Sequence, residues 1–232
     1  MFATDESMPV PDLAVEAEAR GFGSLYVPEH THIPVSRRTP APTGDAELPP
    51  EYRRTVDPLV ALAAAAARTS SIRLGTGVML PAQREPIVTA KAIATLDQLS
   101  GGRFVCGIGF GWNEDELADH GVAMADRRAV CRERMLAMQA LWAGDVAGFT
   151  GEHVSISPSW SWPKPRQRPG PPVLIGGGAG PKLFDHIAEY GHGWIPIGGS
   201  GLADAVPRLR EGGPRGGPDP PPPPGGAVRP PP

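Results

Sequence analysis

Apolar positions along the first 213 residues follow two different periods, which predicts short strands and longer helices in alternation. The short β-branched or apolar runs are predicted strands, at residues 25–27, 72–79, 103–108, 173–175 and 194–197. The stretches before and between them have helical periodicity, at residues 13–20, 57–68, 86–100 and 126–142 and from Pro181 onward. Because strands that alternate with helices pair in parallel, the pattern predicts one parallel sheet, either open or closed into a barrel.

Capping residues support the predicted helix boundaries. Asp57 followed by Pro58 is an N-cap with proline at the first helical position, and Pro86 begins the next helix. Asp126 is expected to cap a long helix with one buried face. That face carries Cys131, Met135, Met138 and Trp142. The connections at 28–55 and 146–171 are predicted to be irregular loops.

The predicted fold is an α/β fold of the (β/α)8 TIM-barrel type, incomplete at both ends. A complete barrel takes about 250 residues. Only residues 2–4 are available for a strand before the first helix, and the ordered part stops near residue 213. We therefore expect about six of the eight strands, with the first mostly missing, as if the start were placed too late and the end lay in another reading frame.

Charge and hydropathy narrow the class of protein. The net charge of −3 favours neither a nucleic acid nor an acidic membrane surface as partner. The N-terminus lacks the pattern of a signal peptide, and the longest apolar run, 59–67, is too short to span a bilayer. Cys106 and Cys131 lie in a predicted strand and a predicted helix, so we expect two buried free thiols. A cytoplasmic protein is expected.

Proline divides the chain into two regions. Ten of its 30 prolines fall in residues 214–232, where almost nothing apolar is available for burial. Such a segment cannot offset the entropy lost on ordering, so a disordered tail with local polyproline II structure is expected. The predicted organisation is therefore a barrel domain at 1–213 and a tail at 214–232.

Glycines mark the ligand-binding edge of the predicted sheet. Gly75 and Gly77 interrupt one strand, and the next strand runs into Gly107, Gly109 and Gly111. Glycine lets a backbone come close to a ligand, and parallel α/β folds bind ligands at the carboxyl ends of their strands. The glycines of the stretch 74–116 therefore predict where a ligand binds, but they do not predict the reaction.

Three segments near these strand ends are candidates for that chemistry. GGGAG at 176–180 follows a strand and precedes a helix, which favours phosphate binding, with a plain turn as the alternative. In PEHTH at 28–32, His30 and His32 have three interpretations: a metal pair, a histidine that hydrogen-bonds a ligand or transfers a proton, or a structural pair. The acidic end of GFGWNEDE, at 109–116, has the simple interpretation of a solvated helix start.

Together these segments resemble the luciferase-like monooxygenase superfamily, and within it the oxidoreductases that use the deazaflavin coenzyme F420. The matching pieces include RGFGSLYVPEHTHIP, the stretch from DPLVALAAAAARTSS through GIGFGWNEDE, PPVLIGGGAG and AEYGHGWIPIG. They cover most of residues 5–200, and the stretch 74–112 is the most specific of them.

The resemblance implies positions for a cofactor over the carboxyl ends of the strands. It implies a non-prolyl cis peptide at Gly77-Val78 beneath the cofactor ring and an active-site histidine at His30. Trp112 matches a position beside the ring. The phosphate turn of the family matches Gly176, Gly177, Gly178 and Ala179. Trp160, Trp162 and the loop 33–55 are further candidates for lining the substrate pocket.

The leading functional hypothesis is an F420-dependent oxidoreductase that transfers a hydride between the reduced deazaflavin and a small organic substrate. An FMN-dependent monooxygenase on the same scaffold is one alternative, because both cofactors carry a phosphate and a tricyclic ring. A non-catalytic remnant of such an enzyme is a second alternative, and a metal hydrolase built on His30 and His32 is a third. The expected partner is a small molecule, not a nucleic acid or membrane, with a homodimer as a candidate assembly.

Overall fold

The computed structural model describes residues 2–41, 44, 47–197 and 205–207. Its longer helices are α1 (Val10–Ala19), α2 (Pro58–Ala66), α3 (Pro86–Leu99), α4 (Glu114–Asp119), α5 (Arg127–Ala143) and α6 (Pro181–Tyr190). Its strands are β1 (Ser24–Val27), β2 (Arg73–Thr76), β3 (Phe104–Ile108), β4 (Val146–Thr150), β5 (Ser155–Trp160), β6 (Val173–Gly177) and β7 (Gly193–Pro196). Short 3-10 helices occupy Pro50–Arg54 and Pro81–Gln83. The tail at 214–232 lies outside the described residues.

The main sheet has five parallel strands in the order β1-β2-β3-β6-β7. It is curled like part of a barrel, and its helices cover the outside, so the predicted incomplete (β/α) barrel is confirmed. Thr4 does not join this sheet as the end of a preceding strand. It forms an isolated antiparallel bridge with Thr55 in the loop before α2.

Strand β2 ends three residues earlier than predicted, because the backbone turns at a cis peptide between Gly77 and Val78. The chain then rejoins β3 through Met79. Its N–H donates to Gly107 O at 2.8 Å, and its carbonyl accepts from Gly109 N at 2.8 Å. The cis peptide predicted at this position is present. The register against β3 shifts by one residue between Gly75 and Met79, so the chain bulges at the carboxyl edge of the sheet.

The connection at 146–171 is not an irregular loop throughout, because β4 and β5 form an antiparallel hairpin. Glu133 of α5 holds the turn of this hairpin by accepting hydrogen bonds from His153 N at 2.7 Å and Val154 N at 2.9 Å. Sequence periodicity missed the hairpin because β5 does not alternate between buried and exposed positions: it contains Pro158 and the extra residue of a register shift opposite Ala147 to Phe149.

Helix capping agrees with the sequence at α2 and differs at α5. The Asp57 side chain accepts from Val60 N at 3.0 Å, as an N-cap does. Asp126 precedes α5, but it has helical backbone angles and its side chain makes no capping hydrogen bond. The predicted start of α5 was right, but the predicted N-cap at Asp126 was wrong.

The core lies between the sheet and its helices. The predicted inner face of α5 is buried, and Trp142 donates from Nε1 to Ala90 O at 3.0 Å on α3. Cys106 and Cys131 are buried free thiols, as predicted, and burial raises the pKa of each to about 12. In the described part of the chain, every helix is too short or too polar to cross a bilayer.

Glu18 fastens the loop between α2 and β2 to the end of α1. Its carboxylate accepts hydrogen bonds from the N–H groups of Ser70 at 3.0 Å, Ser71 at 2.6 Å and Ile72 at 2.8 Å. Burial alone would raise the pKa of Glu18, but these donors outweigh it and lower the pKa to about 2. The ionised carboxylate therefore stabilises the folded state.

Replacing Glu18 by glutamine is expected to lower the free energy of unfolding at pH 7 by about 1 kcal/mol. The substitution removes the negative charge that strengthens these partly exposed hydrogen bonds to the loop. The folded pKa is depressed, so this stabilisation is complete above the ordinary value of 4.5 and is lost as the pH falls toward 2. Urea unfolding across that range measures it. Glu16→Gln is the control, because Glu16 is exposed and forms an ion pair with Arg20 one turn away. If Glu18→Gln lowers the free energy of unfolding equally at pH 7 and pH 2.5, the charge of Glu18 does not stabilise the fold.

Candidate active site at the carboxyl edge of the sheet

The bulge at Val78 sits between two glycines of the neighbouring strands. A Cβ at Gly176 would lie 2.9 Å from Val78 Cγ1, and one at Gly109 would meet Val78 Cγ2 at 2.5 Å. Both glycines therefore make room for the valine. This differs from the role expected of Gly176, which was predicted as part of a phosphate turn.

His30 lies three residues past β1 and is paired with a buried carboxylate. Its Nδ1 is 3.0 Å from Glu116 Oε2 and 3.1 Å from Oε1, and the two side chains are 8% and 1% exposed. The acidic run at 109–116 is thus not simply a solvated helix start. Sequence reasoning missed Glu116 because its partner is 86 residues away in the chain.

The loop after β1 holds the backbone of His30 through Thr55. The N–H of His30 donates to Thr55 Oγ1 at 3.2 Å, and Thr55 Oγ1 donates to His30 O at 2.8 Å. The imidazole is therefore held at its backbone and at Nδ1. Carboxylate oxygens only accept hydrogen bonds, so a carboxylate at Glu116 makes Nδ1 of His30 the donor in this contact and leaves Nε2 without a part in it.

Two aromatic side chains enclose the imidazole. Trp112 meets it edge-on with ring centroids 5.8 Å apart, and Tyr52 lies 5.3 Å away. The rings of Tyr52 and Trp112 are 6.1 Å apart and nearly perpendicular. The structure therefore brings Trp112 to His30 and adds Tyr52 from the short helix 50–54. Trp160 and Trp162 lie instead on and just after the hairpin, largely exposed.

His32 does not join His30 in one site. Its Nε2 contacts Asp119 Oδ2 at 2.9 Å, and its ring lies 5.5 Å from that of His120. Among the described residues, no group of three or more His, Cys, Asp or Glu side chains is arranged to hold a metal ion. The two histidines therefore have separate partners, and the pair does not converge on one point.

The Gly-rich turn leads from β6 into α6. Gly177 O accepts from Trp194 Nε1 at 2.8 Å, while Gly178 and Ala179 are exposed. α6 begins at Pro181 without a side-chain cap. Within the described part of the chain, the N–H groups of residues 178–180 make no hydrogen bond. Exposed N–H groups at a helix start favour an anion, which fits a cofactor phosphate.

Asn113, which follows Trp112, is a second feature that fits a polar ligand. It is fully buried, and neither its Nδ2 nor its Oδ1 has a partner among the described residues. A buried amide without hydrogen bonds is costly. An amide nitrogen donates and an amide oxygen accepts, so this side chain would suit a ligand that offers both kinds of group.

Comparison with known proteins identifies the family of this chain. A family model described as luciferase-like monooxygenase matches residues 7–230. The chain belongs to the luciferase-like monooxygenase family. The resemblance drawn from the motifs is thereby confirmed.

Relatives in the family include proteins with and without an assigned reaction. An uncharacterized protein of Mycobacterium tuberculosis is 52% identical over 197 residues, which cover 84% of this chain and 70% of that protein. An F420-dependent glucose-6-phosphate dehydrogenase of Kineococcus radiotolerans is 32% identical over 209 residues, or 87% of this chain and 57% of the dehydrogenase. The chain thus spans little more than half the length of that enzyme.

Solved structures show the same fold. The monooxygenase RslO1 from Streptomyces bottropensis has a TM-score of 0.72 at 29% identity, with 88% of this chain and 57% of that chain covered. An F420-dependent secondary alcohol dehydrogenase, solved with an F420-acetone adduct, has a TM-score of 0.69 at 24% identity, with 87% and 58% covered. The second likeness shows the fold alone.

Proposed function

We propose that the chain is an F420-dependent oxidoreductase that transfers a hydride between a reduced deazaflavin and a small organic substrate. The observation that carries the proposal is the buried His30–Glu116 pair, which lies past the carboxyl end of β1 in a family whose relatives include F420-dependent dehydrogenases. This is the edge where parallel α/β proteins bind ligands.

The bound deazaflavin would supply the hydride, and the residues of this chain would position the reactants and handle a proton. Val78 would support the ring from below. Trp112 and Tyr52 would exclude water around His30. The Nε2 of His30 would accept or return a proton at the substrate oxygen, while Glu116 stabilises the imidazolium.

The phosphate of the cofactor would lie at the turn of Gly177, Gly178 and Ala179, which leads into α6. The exposed N–H groups of this turn would donate to it. Gly176 supports this proposal less directly, because its missing side chain makes room for Val78. We further propose a cytoplasmic enzyme with a small-molecule substrate and a homodimer as its candidate assembly.

Cofactor binding is expected to distinguish three candidates: an F420-dependent enzyme, an FMN-dependent enzyme and a non-catalytic remnant. Purified protein should bind F420 more tightly than FMN, and its melting temperature should rise with F420 concentration. At a hundredfold excess over Kd, the gain in stability is about 2.7 kcal/mol. Fluorescence titration and thermal unfolding measure both quantities. Affinity for neither cofactor would overturn the proposal and favour the remnant.

An FMN-dependent monooxygenase is the second candidate. The 29% identity to RslO1, a monooxygenase, supports the reaction type of this candidate. Tighter binding of FMN than of F420 in the same titration, with oxygen consumption by the reduced complex, would favour it.

A further inference from the structure

The outer face of the hairpin β4–β5 carries an exposed apolar patch. Trp160, at the end of β5, and Trp162, just past it, are 76% and 54% exposed. Ser161 between them is less exposed, so both indoles project to the same side of the chain, about 7 Å apart. Val146 pairs with Trp160 across the hairpin and is also exposed. Tryptophan is usually largely buried, and a cluster of exposed apolar side chains of this kind marks an interaction surface.

One of the two indoles is held in a fixed orientation, and the other has a free donor. Trp162 donates from Nε1 to Asp145 Oδ1 at 3.1 Å, and the Lys164 ammonium lies 5.2 Å from the centroid of its ring. Trp160 Nε1, in contrast, has no acceptor among the described residues. The patch therefore offers two aromatic rings and one N–H group that a ligand can use.

Lys91 of α3 adds a positive charge beside these rings. Its Nζ donates to the carbonyl oxygen of Trp162, and no carboxylate within the described ranges forms an ion pair with it. Asp145 borders the patch as well, but it already accepts from Trp162. A ligand that fits this surface therefore combines apolar rings, a carbonyl acceptor and a negative charge.

The tail of the chain contains a segment with this chemistry. Asp219 is followed by five consecutive prolines, Pro220–Pro224. Such a run favours polyproline II, which leaves its carbonyl groups free and has little conformational freedom to lose on binding. Proline-rich segments in this conformation bind to surfaces lined by aromatic side chains.

The tail is also long enough to reach the hairpin. The hairpin connects the end of α5 to the start of β6, so it lies toward the amino edge of the main sheet. A strand of five residues, such as β6, is about 17 Å long. Pro220 follows Pro207, the last described residue, by 13 residues. In an extended or polyproline II backbone these residues span about 40 Å, which exceeds the distance between the two edges.

We propose that the hairpin patch binds the proline run of this chain's own tail. The prolines would lie across Trp160 and Trp162, and a prolyl carbonyl would accept the free N–H of Trp160. Asp219 would pair with Lys91 and so fix the direction of the segment. The contact lies away from the carboxyl edge of the sheet, so it does not depend on the proposed cofactor.

Two-dimensional NMR of the full chain tests this proposal, because each tryptophan gives one indole N–H signal. When serine replaces Pro220–Pro224, we expect the Trp160 signal, assigned with Trp160→Phe, to move from its wild-type position. The signals of the three tryptophans outside the patch should stay in place. The control replaces Pro230–Pro232 by serine, keeps Asp219 and the proline run, and should leave the Trp160 signal where the wild type has it.

A peptide of residues 214–232, added to the variant with serine at 220–224, provides the rescue. A short linker holds a tethered segment at an effective concentration of about 1 mM, so a peptide Kd of about 0.1 mM would leave the patch about nine-tenths occupied in the wild type. We therefore expect the peptide to return the Trp160 signal to its wild-type position, with half of the change at about 0.1 mM.

Three results would overturn the proposal. The first is a Trp160 signal at the same position in the wild type and in the variant with serine at 220–224. The second is a peptide that leaves this signal unchanged at a concentration of about 1 mM, where the tethered tail would already be bound. The third is a wild-type signal whose position depends on protein concentration, because the tail of a second copy would then occupy the patch.

Discussion

Replacing Gly107 by alanine is expected to destabilise the fold by about 3 kcal/mol or more, because the new methyl group would overlap the backbone carbonyl of Thr76. Steric overlap with backbone is costly because a strand, unlike a side chain, cannot rotate away. Here Thr76 is held in place, since its Oγ1 donates to Gly107 O at 2.6 Å. Relief would require β2 and β3 to separate at the base of the Val78 bulge.

Urea unfolding of Gly107→Ala and Gly23→Ala measures this effect against a matched control. A Cβ at Gly23 would meet no atom within 4 Å, so its substitution should change the unfolding free energy by less than about 1 kcal/mol. The overlap argument fails if Gly107→Ala is as stable as Gly23→Ala. A variant that does not fold at all agrees with it.

Replacing His30 by glutamine is expected to lower F420-dependent turnover by about 100-fold or more while leaving cofactor affinity nearly unchanged. A positioned acid or base typically contributes 10² to 10⁴ in rate, and glutamine cannot take up a proton. Turnover would be measured with a small organic acceptor found by screening against the reduced cofactor. His32→Gln is the control, because His32 is 41% exposed and contacts Asp119 instead of the site.

Glu116→Gln tests whether the carboxylate sets the tautomer of His30. A glutamine amide can donate to Nδ1 and so favour the ring with its proton on Nε2, which removes the base from the substrate side. We therefore expect turnover to fall with Glu116→Gln as well, with little change in melting temperature or cofactor Kd. Full turnover in either variant would show that the pair only supports the loop after β1.

Local sequence signals predicted most of the fold. Asp57-Pro58 and Pro86 mark helix starts, and short apolar runs give the five parallel strands. The signals failed where a contact with distant residues overrides the local pattern. Glu133 of α5 holds the turn of the hairpin β4–β5. At the early end of β2, Val78 enters the space left by Gly109 and Gly176 of later segments.

The sequence by itself determined the alternation of strands and helices, the glycine-marked edge and the family to which the chain belongs, because these depend on period and on motifs read along the chain. Only the tertiary structure decided which side chains meet at that edge. Glu116 reaches His30, Val78 occupies the space left by Gly109 and Gly176, and Arg128 lies on Phe110 without a counter-ion among the described residues. These contacts join residues tens of positions apart, and they form because a parallel sheet gathers the ends of separate strands at one edge.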